Sequence, residues 1–529
     1  MVGIARARGC GTCRKRKIAC GLEKPSCAQC VKSKRTCVGY RKYPIFIAHQ
    51  PLKEDHQEAA TQTKSGSGAR ARSGNPQAEY PDLNSVVVSP LSNGSHPESK
   101  KSLAPLGIQV DPNPILRQRL LEAYLDSHLS KNRVGPMQQR IWLIQIPGLP
   151  YITSALEVSM MALCLAKLGD LHRDEGFAYE SLKLYRRALH ELQLALWDPA
   201  LMLDDQTLTA CVALGMYEMS QCPNRSKHGY VSHTLGCRRL IQIRGPDAHV
   251  DGLGHAVFAH FRVQEILYAL DQGEYSFLRD PLWQDVPWHK QPKTPYDCIY
   301  DFLIRAPELR NQGDMLQFLD PRNKLQLATE MIWKCWEMES ELQCVYDSVE
   351  ASHKGPVFWP ELARNKDLHG DSEDGMLFPV AFHFPNLSMA NTVIIYWAVQ
   401  VILWHGMWQL YRVITELRLY FRAAARVEDG RGSPESVDDA VSTRFKFPPL
   451  EHRADFAAPC RNIFQSVEYA LQENMLDQGP KCVACPLRIA YETLRVYPQF
   501  KQEVAWAERA QEMVEGRSLR LLTYYIPRR

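Results

Sequence analysis

Acidic residues are all but missing from the first 42 positions, where Glu23 stands alone against twelve Lys and Arg. That excludes a balanced, solvated surface for this segment. Residues 1–20 also lack the apolar run of a secretory leader, which argues against a disulfide scaffold for the sixteen cysteines. Clustered cysteines outside that setting favour metal. No H-E-x-x-H, G-x-S-x-G or Walker sequence occurs, so no catalytic residue is assigned and the chain does not read as an enzyme. Strand-like alternation is scarce. No sustained heptad follows the N-terminal cysteines, so nothing supports a coiled coil there.

What is present divides sharply. The 529 residues carry a net charge of +4, but residues 1–42 alone carry +11 and the remaining 487 carry −7. A basic module on a mildly acidic body points to a polyanionic partner for the N-terminus. An apolar fraction of 45% with 23% charged residues lets the body bury a true core.

The composition marks three regions. Residues 1–42 are rich in Cys, Lys and Arg. Residues 43–114 read as a disordered linker, because Ser, Pro, Gly and Gln dominate from about 50 onward and bury too little to offset ordering. Residues 115–529 read as one all-α body. Leu182, Tyr185, Leu189, Leu192 and Leu196 make one helical face, ended by Asp198-Pro199. Asp204 or Asp205 can cap the next helix, whose face carries Leu208, Cys211, Leu214 and Tyr217. Further helices are expected near 155–169, 255–271, 322–349, 388–425, 454–475 and 502–521, stacked as pairs without a fixed period. The stretch 425–450 and much of 351–385 read as loop. Residues 392–411 hold no Lys, Arg, Asp or Glu over about a bilayer's length. Gln400, His405, Gln409 and the interrupting Gly406 favour a buried helix over a membrane span.

The chemistry lies in Cys10, Cys13, Cys20, Cys27, Cys30 and Cys37, spaced C-x2-C-x6-C-x6-C-x2-C-x6-C. The unit C-x2-C-x6-C occurs twice, the first copy opening at Cys10 and the second at Cys27. A two-residue gap lets one turn present two thiolates to one ion. Six cysteines cannot supply two separate tetrahedral ions unless two thiolates each bridge both. Six thiolates and two Zn2+ leave a core of −2 and a module of +9. About 40 residues are too few to fold on an apolar core, so metal must drive folding.

The stretch CGTCRKRKIACGLEKPSCAQCVKSKRTC resembles the fungal Zn(II)2Cys6 binuclear zinc-cluster transcription factors over its whole length. The resemblance implies two zinc ions per chain, with Cys10 and Cys27 as bridging ligands. Cys13 and Cys20 would complete one ion, Cys30 and Cys37 the other. Pro25 would hold the loop between the halves, in relatives often through a cis peptide. A short helix, Arg14–Ile18, would enter the major groove, with Lys17 as the main base-reading residue of a CGG-type triplet and Arg16 beside it. Arg14, Lys15, Lys32, Lys34 and Arg35 would contact phosphates. Ala19 and Gly21 depart from the family's usual Lys and Asp or Ser, which puts one flanking contact in doubt but spares Lys17. The alternatives are a purely structural zinc module or a basic import signal. Duplex DNA, transcription co-regulators and a nuclear location follow from the resemblance, with no membrane role; a small-molecule effector and a homodimer stay open.

The body resembles the regulatory domain that accompanies such clusters, through ALCLAKLGDLHRDEGFAYESLKLYRRALHELQLALWDP, DDQTLTACVALGMYE and FLRDPLWQDVPW. The resemblance implies an all-α fold and no catalytic residue. Other signals are set aside. His172-Arg173-Asp174 echoes a kinase catalytic loop, but Tyr179 stands where that loop needs asparagine. Cys482-x2-Cys485 is a lone pair. Gly66-x-Gly68 follows no strand. Tyr396, Trp397, Trp404, Trp408 and Tyr411 fit a core face better than an effector pocket.

Overall fold

The computed structural model describes residues 12–13, 16, 18, 20, 27–33, 35, 37, 114–129, 141–221, 223, 226–369, 376–428 and 447–516. Residues 43–113 of the expected linker, Gly66-x-Gly68 among them, lie outside the described residues. In the module, helix α1 spans Ala28–Lys32. The body opens with α2, Pro114–His128, whose proline at the first helical position has no N–H to leave unsatisfied.

Helices α3 (Ser154–His172) and α4 (Glu175–Trp197) pack against each other. The Thr153 hydroxyl accepts from the Leu156 N–H to start α3. Arg173, with φ 52°, ends it in the left-handed region. Asp174 then starts α4, its Oδ1 accepting from the N–H groups of Gly176 at 2.7 Å and Phe177 at 3.1 Å. The kinase-like triplet is therefore a corner between two helices. Gly169 allows the corner to close, since a Cβ there would stand 3.0 Å from the Ala178 nitrogen.

The buried face of α4 is Ser181, Tyr185, Ala188, Leu192 and Ala195. The expected face is thus rotated: Leu182 is exposed, and Leu189 and Leu196 are half-buried. Small residues let neighbouring helices approach, so Ala188 and Ala195 set the contact line and the leucines flank it. Helix α4 ends at Trp197, before Asp198-Pro199.

Helix α5 (Asp205–Gln221) takes its cap from Asp204, whose Oδ1 accepts from the Gln206 N–H at 2.7 Å. Leu208, Cys211, Leu214 and Tyr217 are buried, but so is every residue from Gln206 to Glu218. Helix α5 is enclosed on all sides rather than amphipathic. Its buried Glu218 accepts from the Tyr185 hydroxyl.

Helices α6 (His228–Arg244) and α7 (Gly252–Gln272) follow. Next come α8 (Pro295–Met315) and α9 (Pro321–Ser352). Helix α8 starts with a capping box between Thr294 and Asp297, and α9 with the Asp320 side chain ahead of Pro321. Between α9 and the next helix, strands β1 (Trp359–Leu362) and β2 (Val380–His383) pair antiparallel, Trp359 opposite His383 and Leu362 opposite Val380. This small sheet departs from the expected loop. Its strands are short and not joined by a tight turn, so they leave little sequence pattern. Aromatic packing of Phe358 and Phe382 on Trp397 holds the pair to the body.

Helix α10 runs from Leu387 to Glu428. It passes straight through Gly406 and reaches into the stretch expected as loop from 425; residues 429–446 lie outside the described residues. It is long and apolar enough to cross a membrane, yet Val393 through Val401 are all buried, as is Thr392 before them. That run exceeds two helical turns, so every face of the segment is covered by protein. Each fully buried aliphatic side chain there contributes roughly 1.5–3 kcal/mol. Tyr396, Trp397 and Trp404 are buried among these, and the Tyr411 hydroxyl donates to the Pro448 carbonyl while accepting from Trp336 Nε1. These aromatics are core.

The expected helix over 454–475 is broken. Helix α11 covers only Ala457–Gln465, followed by short turns at Val467–Ala470 and Glu473–Met475 and by Leu476 at φ 49°. Helices α12 (Gln478–Leu494) and α13 (Lys501–Glu515) close the body. One hydrophobic core runs from Tyr124 to Val514, with α10 packed against α8, α9, α11 and α12.

Two glycines test the packing. A Cβ on Gly479 would stand 2.0 Å from the Ala470 carbonyl oxygen, so Gly479→Ala should cost roughly 3 kcal/mol. A Cβ on Gly406 meets nothing within 4 Å, so Gly406→Ala should stabilise by up to about 1 kcal/mol. Urea unfolding of both variants measures the contrast; equal midpoints would refute it.

Acid sensitivity follows from buried imidazoles. Burial pushes His249, His260 and His405 each down to about 4, helped by Arg244 at His249 and by Lys481 at His260. Unfolded imidazoles titrate near about 6.5. Between these values the unfolded chain binds protons that the folded chain does not. Stability should be full above about pH 6.5 and fall toward pH 4, by up to about 1.4 kcal/mol per pH unit per imidazole. A urea midpoint identical at pH 7 and pH 5 would show these rings to be protonated in the fold.

Candidate metal centre

Five of the six N-terminal cysteines are described; Cys10 lies outside the described residues. The thiols of Cys13, Cys20 and Cys27 lie within 4.8 Å of one another, and so do those of Cys27, Cys30 and Cys37. Cys27 belongs to both groups. Cys13, Cys27 and Cys30 are fully buried, and Cys20 and Cys37 are half-buried. Among the described residues the interior of the module consists of these cysteines alone.

The sulfur spacing suits a metal. Cys13 Sγ lies 3.6 Å from Cys27 Sγ and 4.0 Å from Cys30 Sγ. Zn–S bonds of about 2.3 Å in a tetrahedron put sulfur atoms about 3.8 Å apart. Zinc fits these residues and would supply the folding free energy that an apolar interior supplies elsewhere.

The backbone repeats with the cysteine spacing. The Arg16 N–H donates to the Thr12 carbonyl, and at the equivalent place in the second half the Ser33 N–H donates to Gln29. The Ile18 N–H donates to Cys13, and its counterpart, the Arg35 N–H, donates to Cys30. Each half is one helical turn with a cysteine inside and a basic residue outside, Cys13 and Arg16 in the first, Cys30 and Lys32 in the second. The first turn already includes Thr12 and Cys13, ahead of the expected start at Arg14.

Of the expected DNA contacts, Arg16, Lys32 and Arg35 are described and all are exposed. Arg14, Lys15, Lys17 and Lys34 lie outside the described residues, as does Pro25. Arg16 has a further role that sequence reasoning missed. Its Nη1 donates to the Ser33 hydroxyl at 3.1 Å, and that hydroxyl donates to the Gln29 carbonyl at 2.7 Å. Arg16 and Ser33 are equivalent positions of the two halves, so this link joins them across the repeat. The offset between the two cysteine units carried the signal, since it aligns these two residues.

Burial pushes the Cys485 thiol up to about 12 and raises Cys482 further still, so neither is a thiolate near neutrality.

Comparison with known proteins agrees with this geometry. Residues 8–44 match the fungal Zn(2)-Cys(6) binuclear cluster domain. An uncharacterized protein of Emericella nidulans is 28% identical over 206 residues, 37% of this chain and 44% of that protein. An uncharacterized transcriptional regulatory protein of Schizosaccharomyces pombe is 58% identical over 36 residues, 7% of each chain. White-opaque regulator 2 of Candida albicans is 54% identical over 33 residues, 6% of this chain and 7% of that protein. The chain thus spans less than half the length of these relatives. No solved structure matches it. The N-terminal module is a Zn(2)-Cys(6) cluster domain, which holds two zinc ions.

Elemental analysis of the full chain purified with zinc should give two equivalents. Cys27→Ser should lose both, because both thiol groups include it, whereas Cys37→Ser removes a ligand from one group only. Equal zinc loss in the two variants would refute a shared Cys27.

Proposed function

We propose that this chain, which carries a fungal Zn(2)-Cys(6) binuclear cluster domain, is a nuclear, sequence-specific DNA-binding regulator of transcription by RNA polymerase II. The single observation that carries the reading is the metal module itself: thiols turned inward in two groups sharing Cys27, with Arg16, Lys32 and Arg35 exposed on the outside. A regulator of this kind needs a rigid cationic knob that fits a groove, and a metal-folded module of net +9 supplies one. Two names among the relatives, a transcriptional regulatory protein and White-opaque regulator 2, support the same reading.

The assignment is by residue. Cys10 and Cys27 bridge the two ions, Cys13 and Cys20 complete one, and Cys30 and Cys37 the other. Lys17 reads guanine O6 and N7 in a CGG-type triplet. Arg14, Lys15, Lys32, Lys34 and Arg35 neutralise phosphates and set the salt dependence. Arg16 lies beside Lys17 at the bases, and its link to Ser33 fixes the relative setting of the two halves. Residues 1–42 bind DNA, 43–114 tether, and the all-α body of 115–529 regulates by recruiting transcription co-regulators. The body takes no catalytic part, and helix α10 serves as its core rather than as a membrane anchor.

The test is a gel-shift titration of the full chain on CGG-containing and scrambled duplexes. Specific binding should be abolished by chelation and fall steeply between about 50 and 200 mM salt, by on the order of a hundredfold or more. Lys17→Ala should cost about 1–3 kcal/mol on CGG duplexes and little on scrambled ones. Zinc-replete protein that shifts neither duplex would instead favour a zinc module that regulates through protein contacts alone.

A further inference from the structure

A second group of ionisable side chains converges in the helical body. Tyr124 and His128 of α2, Lys167 and Asp170 of α3, Asp477, and Lys481 of α12 line a small, partly open cleft.

The hydrogen bonds fix the charge states. Asp477 Oδ1 accepts from the Lys167 ammonium at 2.6 Å, and Oδ2 accepts from His128 Nδ1 at 3.0 Å. Burial alone would raise the Asp477 carboxyl, but His128, Lys481 and Lys167 hold it well below the usual carboxylate range. His128 Nε2 faces two donors, Gln478 Nε2 at 2.9 Å and the Lys481 ammonium at 3.4 Å. That nitrogen is therefore an acceptor and the ring is neutral. Burial, with the Lys481 charge, pushes the imidazole down to about 4, in agreement. Asp170 Oδ2 accepts from Gln221 Nε2 at 2.7 Å.

Both carboxylates of the cleft are thus engaged in short hydrogen bonds, whereas the Lys481 ammonium has only a long one and the Tyr124 hydroxyl has none. The Lys481 ammonium rests on a neutral imidazole at a distance longer than an ordinary hydrogen bond. Burial pushes it down to about 8, with the Asp477 carboxylate opposing that shift and the Lys167 charge adding to it. The Tyr124 ring is 1% exposed and stacks on His128 at 5.0 Å between centroids. Its hydroxyl has no hydrogen-bond partner. A buried hydroxyl and a weakly matched ammonium on one cleft call for an acceptor that carries negative charge.

We infer that this cleft binds a small carboxylate-bearing molecule, whose carboxylate accepts from the Tyr124 hydroxyl and pairs with the Lys481 ammonium. A carboxylate fits better than a phosphate. Two donors match its two oxygens, and Asp170 and Asp477 in the lining oppose a second negative charge. Metal cations are opposed by Lys167 and Lys481. Occupancy would tie α2 and α12 together, so the carboxylate would act as a sensed effector of the body. The inference stands whether or not the cysteine module reads DNA.

The test titrates the zinc-loaded full chain with acetate, succinate and benzoate by calorimetry, with chloride and inorganic phosphate at matched ionic strength. At least one carboxylate should saturate a single site and raise the thermal midpoint, with neither control doing so. Lys481→Met should weaken that binding tenfold or more. Tyr124→Phe keeps the ring and its stacking, and should weaken it several-fold. The inference is overturned if no carboxylate saturates a site, if phosphate binds as well, or if Tyr124→Phe binds as tightly as the unaltered chain.

Discussion

Two tetrahedral ions need eight ligand places and the module offers six cysteines, so sulfur must be shared. That constraint shapes everything else about the N-terminal segment. Sharing draws the thiols into one compact group, and Cys27 belongs to both of the groups seen. With cysteines filling the interior, no apolar side chain is required there, and Ile18 and Val31 are left on the outside. Every other surface position is then open to Lys and Arg. A module of this size with an ordinary apolar core could not have turned so much of its surface over to one charge.

The repetition of backbone hydrogen bonds from one half of the module to the other follows from the same constraint. Two ions sharing sulfur are equivalent partners, and two equivalent turns of chain can serve them. The halves are equal in backbone but not in side chains. Arg16 in the first half is matched by Ser33 in the second, and the two bond to each other across the repeat. The half that loses a cation at this position gains a hydroxyl that holds its neighbour's. Charge is thereby weighted toward the first half of the sequence repeat, where Arg14, Lys15, Arg16 and Lys17 are consecutive.

The body obeys the opposite rule. Its interior is apolar, with α5 and a long stretch of α10 enclosed on every side, and several of the charges it buries are matched in contact. Arg453 is paired with Glu339 at 2.7 Å, and Arg238 with Glu265 at 2.8 Å. Removing one member of such a pair strands the other, which is why buried charges in a stable fold are seldom left over. Lys481 is placed differently: its ammonium meets an uncharged ring at 3.4 Å, and the Asp477 carboxylate acts on it without a direct hydrogen bond.

What can be read in the sequence divides along a physical line. The metal module is legible because its ligands are local: spacing within the short stretch from Cys10 to Cys37 fixes which thiols can meet. Helix type is legible wherever an apolar stripe is long, as in α3, α9 and α10. The face of α4 is misplaced when leucine serves as the mark of contact, because Ala188 and Ala195 are what bring the helices together. Helix α8 announces itself only through Thr294, Pro295 and Asp297, which spell a capping box, a signal that lies in a few residues rather than in a period. Helix α12 is hidden by Pro480 and Pro486, residues that usually break helices, yet the first sits near its start and the second lies inside it. The cleft has no local trace at all. Tyr124 and Lys481 lie near opposite ends of the body's sequence. Only the packing of α2 against α3, together with the chain turning at Leu476 before α12, brings them to one wall. Chemistry written in spacing survives in a sequence read alone; chemistry written in tertiary convergence exists only once the core has formed.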